Sequence, residues 1–150
     1  MKAVTLAGLI SLAAMPVLAQ TPAAPTSVPL GQIVELPDVQ GATADPTCGG
    51  RAAMARIAFC IASTQAGMQA VADTYTAEFA RQGWLVGTGN ANLIVYVRRK
   101  EAGGCEAFQM QAFSDDSRAS GPDAPAYLAF AAIPGDVCAD EPAETGVAPQ

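Results

Sequence analysis

The residues able to do chemistry in this chain are few: four cysteines, Cys48, Cys60, Cys105 and Cys138, a scatter of carboxylates, and no histidine. Without imidazole, the Ser-His-Asp and Cys-His devices cannot be assembled, and the usual general base near neutral pH is missing. The cysteines show no CxxC spacing and have no histidine to complete a zinc set, so a metal role is weakly supported. An even number of cysteines in a small exported domain reads instead as two disulfides, each stabilising the fold by about 2–4 kcal/mol. Two carboxylates suffice for glycoside hydrolysis, and Asp115 with Asp116 or Asp136 with Asp140 are the candidates. These sit in loops that need polar residues for turning, and catalytic acids need a cleft that shifts their pKa. The same aspartates lack the spacing of a calcium-binding EF-hand loop. No SxxK motif accompanies a serine, and Lys100 lies in a turn. The GxG of Gly87-Thr88-Gly89 lacks its third glycine and precedes a strand, the reverse of a phosphate-cradling loop. The sequence therefore names no catalytic, cofactor-binding or metal-binding residue. Its one cluster of positive charge, Arg98-Arg99-Lys100, is the candidate interaction patch, the competing reading being a solvated hairpin end.

Disulfides require an oxidising compartment, and the start of the chain supplies the address. Met1-Lys2, the apolar run Ala3 to Ala14, and Pro16-Val17-Leu18-Ala19 have the form of a secretory signal peptide over residues 1–19. The run is shorter than the roughly 20 residues that cross a bilayer, so no transmembrane segment is expected after cleavage. The signal resembles bacterial export signals and predicts a periplasmic or secreted product. A formal charge of −6 gives no basic face for phosphates, so nucleic-acid binding is not expected. Residues 20–44 form a Pro/Ala-rich leader and edge segment, 45–138 a single folded domain, and 139–150 an acidic tail expected to be disordered.

Hydrophobic periodicity then proposes the elements. Ile33, Val34, Leu36 and Val39, interrupted by Pro37, make at most a short edge strand or a segment laid over the core. Asp45-Pro46-Thr47 looks like the approach to a helix, although Cys48-Gly49-Gly50 weakens so early a start. In 51–62, Met54, Ile57, Ala58 and Ile61 recur at helical spacing, while Ile57, Phe59 and Ile61 would share one face of a strand. The helical spacing and the alanines favour a helix. Ser63-Thr64 can cap a second helix. Residues 67–81 are the clearest element, an amphipathic helix with Met68, Val71, Ala72, Tyr75 and Phe79 inward, and Gln69, Asp73, Glu78 and Arg81 outward. Gly83 closes it and Trp84 turns back to the core. Gly87-Thr88-Gly89-Asn90 reads as a turn. Residues 92–99 are apolar on both faces, as in a central strand. Residues 105–113 alternate Phe108, Met110 and Ala112 against Gln109 and Gln111. A third strand is expected at 125–133, with a short helix as the competing reading. The expected fold is α+β: a small antiparallel sheet of about three strands packed on one or two helices, stabilised by disulfides.

If the strands 105–113 and 126–133 are antiparallel neighbours, Cys138 falls beside Cys105, which leaves Cys48 with Cys60. A straight helix over 51–62 makes that second bridge awkward, because bridged Cα atoms must lie within about 7 Å. The other two pairings stay open. The function expected is a noncatalytic module binding an unknown protein or cell-envelope component, the alternatives being a small carboxylate hydrolase and a structural envelope protein.

Overall fold

The computed structural model describes residues 29–115 and 117–138. The proposed signal peptide 1–19, the first part of the leader and the acidic tail lie outside the described residues. The architecture is one six-stranded antiparallel sheet in the order β1-β2-β6-β5-β4-β3. Its strands are β1 (Thr43–Ala44), β2 (Phe59–Thr64), β3 (Leu85–Asn90), β4 (Leu93–Arg99), β5 (Cys105–Ser114) and β6 (Pro125–Ile133). The one substantial helix among the described residues, α2 (Met68–Arg81), lies across one face; α1 (Ala52–Ala55) is a single turn. The fold is thus mostly β, which corrects the expectation of about three strands packed on one or two helices. None of the described helices is long and apolar enough to cross a membrane.

Local backbone geometry accounts for the additional strands. Cys48, Gly49 and Gly50 all have positive φ, at 50°, 63° and 82°. Successive left-handed residues cannot belong to a right-handed helix, so Asp45 does not start one. Its carboxylate instead accepts the backbone N–H groups of Thr47 and Gly49 at 2.9 and 2.7 Å and tightens a turn. The helix expected over 51–62 shrinks to α1, and Phe59–Thr64 is β2, paired with both β1 and β6. The strand reading through Phe59 and Ile61 is the one that holds. Helical spacing misleads here because adjacent Cys60 and Ile61 are both buried, one towards the disulfide and the other towards the main core. Gly87 to Asn90 is likewise not a turn but the body of β3. Those glycines are required by close approach, since a Cβ on Gly87 would stand 2.9 Å from a Val97 methyl and one on Gly89 2.7 Å from the Leu93 carbonyl oxygen.

The core lies between the sheet and α2. Val71, Tyr75 and Phe79, spaced four apart, are the buried stripe of the helix. Opposite them stand Ile61, Tyr96, Phe108, Met110, Leu128 and Phe130, which alternation along four strands places on one face. The Phe79 ring is wholly buried and meets Tyr96, Phe108 and Phe130 edge-on at centroid distances of 5.1, 4.8 and 5.9 Å. Gly83, with φ of 83°, ends the helix; the Trp84 N–H donates back to the Phe79 carbonyl, and the indole packs edge-on to Phe108. The segment after Leu30 is laid over the same layer: Val34 is buried, and the Tyr75 hydroxyl donates to the Pro37 carbonyl. β4 is interior to the sheet but one strand from its edge. Only Tyr96 on its helix-facing side is buried, so the expectation that it is covered on both faces is too strong.

Both disulfides join the pairs that strand adjacency favours, Cys48 with Cys60 and Cys105 with Cys138, with Cα separations of 5.2 and 5.3 Å. The first is accommodated because Cys60 sits on a strand and the left-handed turn brings Cys48 onto it. By loop-closure entropy, replacing the Cys105–Cys138 pair by serines should cost about 4 kcal/mol, and the Cys48–Cys60 pair about 3. Urea titrations of the two variants check this, and a costlier short loop would contradict it. Phe79→Ala should cost about 3–5 kcal/mol in the same assay; a loss of only about 1 kcal/mol, typical of an ordinary substitution, would show that the ring is not the packing centre.

Candidate functional site

At the carboxyl end of the helix, Phe79 and Trp84 fill the layer between helix and sheet. At its amino end Val71 is buried in the core, while its neighbours Met68 and Ala72 are only half-buried. These two line a cleft of about 310 Å³ between α2 and the tip of the β3–β4 hairpin. Its floor is aliphatic: Met68 and Ala72 from the helix, Ile94 from β4, Met110 and Ala112 from β5, and Leu128 from β6. Met110 and Leu128 are buried core residues, so the cleft opens directly onto the hydrophobic layer.

The rim is polar and built mainly of carboxamides. Gln65 and Gln69 stand at the helix side, and Asn90 and Asn92 at the hairpin side. The side chains of three of them, Gln65, Gln69 and Asn90, are engaged in hydrogen bonds. The Gln65 side-chain oxygen accepts the Gly121 N–H at 3.4 Å, and the Asn90 oxygen accepts the Asn92 N–H at 3.2 Å. Gln69 donates to the Asp73 carboxylate at 2.8 Å, and Thr76 shares a 2.8 Å hydrogen bond with the Tyr96 hydroxyl. Burial pushes the Tyr96 phenol up from its ordinary pKa, so it stays neutral at physiological pH. Asp73 is the only carboxylate on the lining among the described residues. A cleft of this volume with an aliphatic floor and a few converging polar groups has the form of a small-ligand site. Two depressions elsewhere, of about 500 and 320 Å³, adjoin the exposed Ile57 and are lined mainly by apolar side chains.

The candidate patch Arg98-Arg99-Lys100 is split by strand alternation. Arg98 points to the helix side, where it bonds Glu106 at 2.8 Å and the carbonyls of Gln82 and Ile33 at 3.0 and 2.8 Å. Its guanidinium also lies 4.3 Å from the centre of the Trp84 ring, a cation–π contact that helps close the end of the core. Arg99 is exposed at the end of β4, and Lys100 is exposed where the turn to β5 begins. On the outward face of α2, Glu78 and Arg81 form an ion pair.

Each candidate pair of acids has one member outside the described residues; the described members, Asp115 and Asp136, belong to different pairs and stand at opposite ends of β5, Asp115 after its end and Asp136 accepting the N–H of Cys105 at its start. Asp116 and Asp140 lie outside the described residues. Asp115 is occupied by Ser117 and Arg118, and the same Asp136 oxygen accepts the N–H of Cys138 at 3.0 Å. Cys105, Asp136 and Cys138 bring three metal-ligand atoms within 4.8 Å, but the two sulfurs are bonded to each other and carry no thiolate to offer a metal. Sequence reasoning misses the cleft altogether, because helical periodicity puts Gln69 and Asp73 on the solvent side and glycine spacing puts Asn90 in a turn. The pair Asn90 and Asn92 astride Ala91 is the one available sign of a polar hairpin tip.

Comparison with protein families, with curated proteins and with solved structures finds no match to this chain. Assignment of a role rests on the geometry.

Hydrogen bonds fix the charge state of three loop carboxylates. The Thr47 hydroxyl and Gly49 N–H lower Asp45, the Ser117 hydroxyl and N–H lower Asp115, and the Cys105 and Cys138 N–H groups lower Asp136. A carboxyl whose folded pKa is depressed contributes stability above its unfolded value, which is lost as pH falls through the folded one. Carboxyl-carbon NMR titration should give all three midpoints below the ordinary aspartate value of 3.8. Midpoints at or above it would contradict the bonding described.

Proposed function

We propose that this chain is a noncatalytic binding module of the periplasm or the extracellular space, acting on a component of the cell envelope or a protein there. Two disulfides fit an oxidising compartment, and the secretory form of residues 1–19 agrees with it. The observation that carries the binding role is the cleft at the amino end of α2, where an aliphatic floor is ringed by carboxamides and a single carboxylate. Such a surface offers hydrogen bonds and apolar contact without an acid–base pair. A carboxylate hydrolase would need two acids free to face one substrate, and the described members of the candidate pairs, Asp115 and Asp136, are each engaged in local hydrogen bonds away from the cleft. A purely structural envelope role gives no reason for a cleft that opens onto buried Met110 and Leu128. The basic turn is a secondary contact surface in this reading, with Arg99 and Lys100 as its outward residues.

Ligand-observed NMR with a mixed set of peptides, saccharides and envelope fragments tests the proposal. The expected result is a binder displaced by Ala72→Phe, which fills the cleft from a half-buried helix position, with no turnover of that binder over hours. Conversion of the compound to product, or binders indifferent to the variant, would contradict it.

A further inference from the structure

The composition of the cleft narrows what it accepts, and this step rests on the binding role proposed for it. Its floor contains two thioethers and aliphatic carbon but no aromatic ring face. A sugar ring, which binds best when stacked on an aromatic face, finds no platform there, whereas a branched alkyl group finds Met68, Ile94, Met110 and Leu128 around it. Methionine adapts its unbranched chain to such a group at little cost. On the rim, Gln65, Gln69, Asn90 and Asn92 each carry one acceptor and two donors, the same set that a peptide group needs to be met on both its C=O and its N–H. Among the described residues the one acidic or basic side chain on the lining is Asp73, and the chain as a whole is at −6, so an anionic ligand is repelled. The volume of about 310 Å³ is at the small end for a ligand pocket and holds one side chain with its flanking peptide groups. The backbone of the hairpin tip is already engaged, because the Asn92 carbonyl accepts the Ala112 N–H at 2.8 Å. Within the cleft, recognition therefore comes from the side-chain amides of the rim.

We infer that the cleft between α2 and the β3–β4 hairpin binds an uncharged peptide segment by inserting one aliphatic side chain between Met68 and Met110. The carboxamide rim holds the peptide groups on either side of the inserted residue.

Methyl-labelled methionine reports on this site directly, because Met68 and Met110 line it. Titration of the mature protein with N-acetyl-Ala-Leu-Ala-amide should shift both methyl signals saturably. The all-alanine peptide should bind about tenfold more weakly, the ratio expected for losing most of a buried leucine side chain. N-acetyl-Ala-Asp-Ala-amide should give no shift. Ala72→Phe should abolish the response, and Gln69→Ala, at an exposed helix position that folding does not depend on, should weaken it while leaving the thermal midpoint unchanged. Equal response to the leucine and aspartate peptides, or a neutral disaccharide that moves the same methyls more strongly, would overturn the inference. Were no peptide to bind while another envelope fragment was displaced by Ala72→Phe, the binding role would stand and the peptide assignment would fall.

Discussion

One contact layer holds this molecule together: the edge-on packing of Phe79 against Tyr96, Phe108 and Phe130. A six-stranded sheet needs at least one face covered, and here a single fourteen-residue helix supplies most of the cover. The helix can do so because its aromatic residues fall at its middle and carboxyl end, where Trp84 and the Arg98 guanidinium close the layer. The same arrangement leaves the amino end underfilled. The cleft is thus a consequence of where the large side chains stand along the helix.

The covalent links act where that layer does not reach. Cys48–Cys60 fixes a left-handed turn to β2, with Met54, Ala58 and Phe113 packed around it on the face opposite α2. Cys105–Cys138 ties the segment after β6 to the start of β5, and Asp136 caps the join by accepting two backbone N–H groups. Neither bridge lines the cleft. The site is built by side-chain packing and hydrogen bonds, and neither disulfide forms part of it.

How much of this is legible in the sequence depends on whether one periodicity acts alone. α2 is legible because Val71, Tyr75 and Phe79 meet a single apolar layer. β5 and β6 are legible because their sides differ in polarity or are bounded by loop residues, and the Cys105–Cys138 pairing follows from their adjacency. β2 is obscured because a disulfide buries its second face, so Cys60 and Ile61 are both inside and alternation is lost. β3 is obscured because glycine in a strand, placed there by close approach to Val97 and Leu93, has the same appearance as glycine in a turn. Two-residue β1 carries too little pattern to be read. The cleft is invisible for a different reason: it opens beside the small side chain of Ala72 and the half-buried Met68, and periodicity marks both as ordinary core positions.

If the aromatic layer is what unites helix and sheet, the two cannot unfold separately. Native-state amide hydrogen exchange under increasing denaturant measures this directly. The account predicts that the amides from Tyr75 to Phe79 in α2 and those of β4, β5 and β6 open with one common free energy, equal to that of global unfolding. Exchange of the helix at a distinctly lower free energy, with the central strands still protected, would show that the sheet stands without it and would contradict the account.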